Sequence, residues 1–250
     1  MVSHLPIATS SPEYAIRLAG VSVGHRRSSS DFVIKNIVGQ FDIGSMTAIL
    51  GPNGAGKSTL IKTIVGFLKP SVGEVLINRG LRTQISLLPQ LSDIDKSFPI
   101  SVYDLVALGA WRRLGPFKAY DEQERQRIHH ALYRVGLHHQ AHQLVGTLSG
   151  GQLQRALFAR LIVRDPQVFL LDEPFAAIDE ATREDLVQIM QEWHQAGRTV
   201  IAVLHDAELV ARVFQQTLLL AGEQIAWGVT AEVLTEDNLQ KARKVALKGF

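Results

Sequence analysis

The 250-residue sequence contains no cysteine. That absence excludes a disulfide framework and thiolate-bound metal, and it fits a reducing compartment. Long apolar runs are missing too: no stretch approaches the ~20 apolar residues that a spanning helix needs. Met1-Val2-Ser3-His4-Leu5-Pro6 has no basic region leading into an apolar run, so no secretion signal is expected. Charge of one sign is also scarce. Lysine and arginine number 26 against 24 aspartates and glutamates, so bulk charge points to no polyanionic partner. The expectation is a chain that is soluble, or that reaches a membrane only through a partner. There is no internal repeat and no long linker. The length suits one substantial core with room for a subdomain.

What is present is organised around Gly51-Pro52-Asn53-Gly54-Ala55-Gly56-Lys57-Ser58-Thr59, which satisfies G-x-x-x-x-G-K-[ST] at every fixed position. Thr47-Ala48-Ile49-Leu50 before it reads as a short buried strand, and Leu60-Ile61-Lys62-Thr63-Ile64-Val65 after it as a helix with an apolar face. Glycines let successive N–H groups turn inward around an anion, and the helix adds its positive end. Lys57 is expected to reach the β- and γ-phosphates of a nucleoside triphosphate, and the Ser58 hydroxyl to ligate Mg²⁺.

Strand signals at Tyr14-Ala15-Ile16-Arg17-Leu18, from Phe32 to Phe41, and at Glu74-Val75-Leu76-Ile77 and Gln84-Ile85-Ser86-Leu87-Leu88 precede a helical stretch from Pro89 to about Arg164. Within that stretch, Ser101 and Asp104 form a capping-box pair, and Ile128, Ala131, Leu132 and Val135 share one helical stripe ending at Gly136. Strand character returns at Val168-Phe169-Leu170-Leu171 and Thr199-Val200-Ile201-Ala202-Val203. Between them, Leu186, Ile189, Met190 and Trp193 mark an amphipathic helix. The order is sheet, helical insert, sheet.

Asp172 and Glu173 follow a buried strand directly, where open α/β sheets place their sites. Asp172 is positioned to hold Mg²⁺ and Glu173 to polarise an attacking water. Gln90 sits where another strand meets the insert, and its neutral amide could touch both metal and water. His205 ends a third strand on the same edge, within reach of a γ-phosphate. Ser149-Gly150-Gly151-Gln152 opens a further helix with N–H groups and a hydroxyl, a second anion-binding device.

Leu148 to Gln152, continued by Leu153-Gln154-Arg155, resembles the signature motif of the ATP-binding cassette (ABC) ATPases. The phosphate loop, Gln90, Leu170-Leu171-Asp172-Glu173-Pro174, Ala177-Ile178-Asp179 and His205 resemble that family's other motifs, in order, from Tyr14 to about Leu239. The resemblance implies an α/β P-loop NTPase core with a mixed or parallel sheet, an N-terminal antiparallel β subdomain and a helical insert. On that reading 1–250 is one domain, with 1–89 and 165–250 as core and 90–164 as the helical subdomain. It also implies ATP and Mg²⁺ as ligands and a head-to-tail homodimer. Ser149 and Gly151 of one copy would then close over phosphate held at Lys57 of the other, with Asp179 communicating across the dimer. Ser97-Phe98-Pro99-Ile100-Ser101-Val102-Tyr103-Asp104-Leu105-Val106-Ala107-Leu108-Gly109 is similar to ATPases of zinc and manganese importers. That similarity implies a permease, a separate metal-binding protein and a place on the cytoplasmic face of the membrane. Val203-Leu204-His205-Asp206 also occurs among importers of iron chelates and cobalamin. ABC ATPases acting on nucleic acid carry long coiled coils or zinc modules that are lacking here, so no nucleic-acid partner is expected.

Two positions depart from the family. The residue aligned with the adenine-stacking aromatic is His25, whose smaller ring implies weaker discrimination of ATP from GTP. Ala176-Ala177 stands where a serine is common, with Asp179 retained. Two further stretches draw notice. His129, His130, His138, His139 and His142 gather in the insert of a suspected metal importer, and imidazole ligates zinc. The apolar stripe leaves His129 and His130 on the solvated side, and neither cysteine nor carboxylate completes a site, which favours a polar surface. Ala110-Trp111-Arg112-Arg113-Leu114-Gly115-Pro116-Phe117 reads as a loop whose aromatics and arginines form a docking surface. By family analogy its partner is a permease coupling helix.

Overall fold

The computed structural model describes residues 14–24, 32–115, 120–176 and 178–247. β1 (Tyr14–Gly24) pairs antiparallel with β2 (Phe32–Asp42), and its other edge takes β4 (Val72–Ile77). Between them in sequence, β3 (Met46–Leu50) leads through the phosphate loop into α1 (Lys57–Ile64). β1 is longer than its apolar alternation suggests, because register shifts carry the strand past Gly20. A bulge of this kind inserts a residue and breaks the period-2 pattern.

β5 (Ile85–Leu88) enters the helical region of α2 (Val102–Ala107), α3 (Trp111–Leu114), α4 (Glu122–Arg134) and α5 (Gly150–Arg164). The chain then returns through β6 (Val168–Asp172), α6 (Glu180–Gln195), β7 (Thr199–Leu204) and α7 (Ala207–Val213). It ends with β8 (Gln216–Leu220), β9 (Gln224–Val229), α8 (Thr230–Val233) and α9 (Glu236–Leu247). The second sheet has the order β5-β6-β7-β3-β8-β9, parallel except for the final antiparallel pair. Every residue of β3, β6 and β7 is buried, as strands covered on both faces require.

Alternation along these strands sorts their side chains into two cores. Val168, Leu170, Ile201 and Val203 pack with β1, β2 and α1, whereas Phe169, Leu171, Val200 and Ala202 pack with the helices. On the helical side Trp193 stacks on Phe169 at 3.9 Å and nearly parallel, and ring pairs of this kind contribute beyond their buried area.

The 110–117 stretch is not a loop throughout. Trp111–Leu114 forms one helical turn, and Arg113, still exposed, binds Glu124 of α4. Trp111 remains 54% exposed, and Phe117 lies outside the described residues. Both arginines of the stretch are at the surface, and Arg113 is also engaged by Glu124 within the chain.

α5 begins three residues before the apolar pattern suggests. Ser149 caps it and accepts from the Gln152 N–H, while the Gln152 side chain accepts from the Ser149 N–H. This reciprocal arrangement satisfies two otherwise orphan donors and lets Gly150 and Gly151 start a helix that their own propensity disfavours.

Candidate nucleotide site

Strand register assembles the site. Leu88 is level with Leu171, Leu171 with Ala202, and Leu50 with Leu204. Gly51, Gln90, Glu173 and His205 each lie one or two residues beyond these positions, so four chain segments deliver them to one sheet edge.

Two glycines fix the phosphate loop because no side chain fits there. A Cβ on Gly51 would stand 1.9 Å from the Leu220 carbonyl oxygen of β8. One on Gly56, whose φ is +87°, would stand 2.2 Å from Ile34 Cγ2 of β2. The loop is thus clamped between the two sheets. Lys57 is buried, and its Nζ donates to the Gly51 and Pro52 carbonyls, each at 2.8 Å. Burial lowers its pKa, and the charges of Glu173 and Asp172 oppose that shift.

Asp172 ends β6 and is buried, which pushes its carboxyl pKa up. Among the described residues its hydrogen-bond partner is the Ser58 hydroxyl, which donates to Oδ1 at 3.0 Å. Glu173 has φ +50°, in the left-handed region. The bend aims its carboxylate across the strand ends: Oε2 accepts from Gln90 Nε2 at 2.8 Å, and Oε1 lies 2.7 Å from His205 Nε2. Both carboxylate oxygens are therefore held by neighbours from other strands.

The resulting cleft of about 710 Å³ is lined by the loop from Asn53 to Thr59 with Gln90, Glu173 and His205. Val33 of β2 also lines it and is 37% exposed. Sequence reasoning missed Val33. The available signal is an apolar side chain on β2 next to Ile34, which packs against Gly56 of the loop.

The residues present fit Mg²⁺. Among the described residues no three His, Cys, Asp or Glu side chains gather as a metal cage. Mg²⁺ takes one or two carboxylates, hard oxygens and the substrate's phosphates, which matches Ser58 Oγ beside Asp172 Oδ1.

Several expected residues stand apart from the cleft. Ser149, Gly150, Gly151 and Gln152 are in their own capping box at the head of α5. Asp179 caps α6 and accepts from the Thr182 N–H and hydroxyl, which lower its pKa. None of these lines the cleft that holds Lys57. His25 lies outside the described residues, as does Ala177. Three of the five insert histidines make ring contacts: His129 meets Tyr103, and His138 meets Tyr133 and His139.

A glycine-clamped phosphate loop, an acidic strand end and a helical insert between β5 and β6 define a P-loop nucleotide-binding chain. The ABC transporter family matches residues 34–176, and the chain belongs to that family. The manganese transport system ATP-binding protein MntB of Bacillus subtilis (strain 168) is 36% identical, over 91% of this chain and 92% of that protein. The zinc transport system ATP-binding protein TroB of Treponema pallidum (strain Nichols) is 34% identical, over 93% and 88% respectively. Among solved structures, the dimeric structure of MJ0796, a bacterial ABC transporter cassette, superposes with a TM-score of 0.75. It is 27% identical and covers 86% of this chain and 98% of that one.

Proposed function

We propose that this chain is the ATP-hydrolysing subunit of an importer for a divalent metal ion, manganese or zinc, and that it powers a separate membrane permease. The observation carrying the chemistry is Glu173, held at once by Gln90 and His205 at the edge of the phosphate cleft. The manganese and zinc systems of MntB and TroB carry the cargo.

When bound, Mg²⁺ would supply positive charge that offsets charge developing at the phosphates. Ser58 and Asp172 are the residues to hold it. Lys57 exchanges its two backbone carbonyls for phosphate oxygens, a charge-assisted replacement for neutral bonds. Glu173 orients and deprotonates water, Gln90 positions that water, and His205 keeps the Glu173 carboxylate aimed while facing the γ-phosphate. Val33, which lines the cleft, borders the base and ribose; the family resemblance assigns base stacking to His25.

The half-exposed first turn of α5 is the piece that one chain leaves unused. A second copy placed head to tail presents Ser149, Gly150, Gly151 and Gln152 to phosphate at Lys57, with the Gly150 and Gly151 N–H groups and the positive helix end. Asp179 lies along the same boundary. The dimeric state of MJ0796 supports this arrangement. No helix among the described residues is long and apolar enough to cross a membrane, so the permease supplies the path. The chain attaches to that permease at the cytoplasmic face, and an extracytoplasmic metal-binding protein delivers the ion.

The test combines two measurements on the chain co-expressed with its permease. ATP with Mg²⁺ should convert monomer to dimer, and intact cells should accumulate manganese or zinc only while the chain is functional. Nucleotide-independent association, or metal uptake indifferent to loss of the chain, would sink the reading.

A further inference from the structure

The backbone at Glu173 goes against two local preferences. Its φ of +50° is left-handed, which residues with a side chain disfavour. Glu173 also precedes Pro174, and a residue before proline is pushed towards extended backbone with φ near about −120°. Such a conformation persists only where the surroundings impose it. On the amino side the chain is held by β6, whose last residue, Asp172, is level with Val203 of β7. On the carboxyl side the turn closes on itself through the Ala176 N–H, which donates to the Glu173 carbonyl at 3.2 Å. A shorter bond arrives from another element. Gln154 of α5 donates from Nε2 to the Pro174 carbonyl at 2.7 Å.

Gln154 is fully buried and is the one polar side chain among the eight residues that α5 buries. Only its amide nitrogen can face the Pro174 oxygen, because two acceptors at that distance would repel. Its Oε1 is then buried with no hydrogen-bond partner among the described residues, which is unfavourable. Methionine would fill a similar volume without burying that acceptor. What glutamine adds is the donor to Pro174. The anchor is also fixed relative to the strand it serves. Phe158 of α5 stacks on Trp193 at 5.7 Å, and Trp193 stacks on Phe169 of β6 at 3.9 Å, both nearly parallel. α5 therefore grips β6 through an aromatic stack and the turn beyond β6 through Gln154.

We infer that Gln154 is a positioning residue for hydrolysis. Through the Pro174 carbonyl it holds the Glu173 backbone in the conformation that keeps the carboxylate between Gln90 and His205. The inference rests on the proposed role of Glu173 as general base and adds what keeps that base aimed. Without the anchor the backbone relaxes towards its local preference and carries the carboxylate away from both partners.

The test uses the full chain with ATP and Mg²⁺. Gln154→Met should lower kcat about tenfold or more, while KM and ATP affinity stay within about twofold and Tm within about 3 °C. In the Glu173→Gln background the same substitution should change residual single-turnover hydrolysis less than about twofold, because the group being aimed is gone. Gln154→Glu carries the test should the methionine variant not fold. Its carboxylate cannot donate, whereas the neutral acid, favoured by burial, can. Its kcat relative to wild type should climb as pH falls from about 8 to about 5.5, and the ratio for Gln154→Met should stay flat. Exchange of the Ala176 amide hydrogen should quicken about tenfold in Gln154→Met, which reads the anchor independently of hydrolysis. A kcat within twofold of wild type in Gln154→Met would overturn the inference. So would equal losses in the wild-type and Glu173→Gln backgrounds, which would make Gln154 a packing residue only. Wild-type turnover in Glu173→Gln alone would instead refute Glu173 as the base.

Discussion

The two ends of the parallel strands bury charge in opposite ways. At the carboxyl ends each charge is satisfied provisionally: Lys57 by loop carbonyls, Asp172 by one hydroxyl, Glu173 by an amide and an imidazole. A nucleotide can replace those partners one for one. At the amino ends the Glu124–Arg113–Arg127 cluster is fixed, with Glu124 buried, and Arg112 and Arg164 are left over. The first end is arranged for exchange of small ligands. The second holds a fixed ion cluster with a standing excess of positive charge.

The contrast is broken most severely at Glu173. Glu173→Gln should lower turnover about 10³-fold, the middle of the general-base range, while ATP binding and the nucleotide-bound dimer survive. Turnover close to wild type in a steady-state assay would remove Glu173 from its role. At the other end Glu124→Ala should cost about 2–4 kcal/mol, since it strands two arginines around a buried gap. Urea unfolding measures this, and ATP affinity should be untouched. The hydrogen bond from Arg113 lowers the Glu124 pKa below its ordinary 4.5. The stability it contributes is therefore complete above that value and lost as pH falls through the lowered one. Glu124→Gln should flatten that acid limb.

Asp172 gives the opposite sign. Burial raises its pKa above 3.8, so the folded protein binds the extra proton and ionisation destabilises it as pH rises past that value. Asp172→Asn should thus raise the nucleotide-free Tm at pH 7, match wild type near pH 3, and weaken Mg²⁺-dependent nucleotide binding. A lower Tm at pH 7 would contradict this account. The smallest effect belongs to Ser149→Ala, which removes a cap contributing about 1 kcal/mol to α5. Circular dichroism should detect modest destabilisation, and ATP-driven dimerisation should weaken more than ATP binding.

The carboxyl-end site was legible because strand ends, glycines and acids follow local rules. A motif names Gly51, Lys57 and Ser58; an apolar run ending in Asp172-Glu173 names the acids. The two-sheet fold could also be read, since β3, β6 and β7 are near-continuous apolar runs. β8, β9 and α9 were not read: Gln224–Val229 mixes polar and apolar residues at half-buried positions, so neither period stands out. The grouping of arginines at the amino ends was hidden for a different reason. Arg112, Arg127 and Arg164 are far apart in sequence and sit on three helices, and each alone reads as a solvated face. The Arg113–Glu124 pair was hidden as well, because nothing local to Trp111-Arg112-Arg113 announces Glu124.

The φ of +50° at Glu173 has a cost of its own. Glycine would occupy that backbone more comfortably, and strain of this kind is worth on the order of 1 kcal/mol or more. Glu173→Gly should therefore give a more stable protein that hydrolyses almost nothing. At this position stability and activity pull the residue in opposite directions, and the chain retains the less comfortable choice.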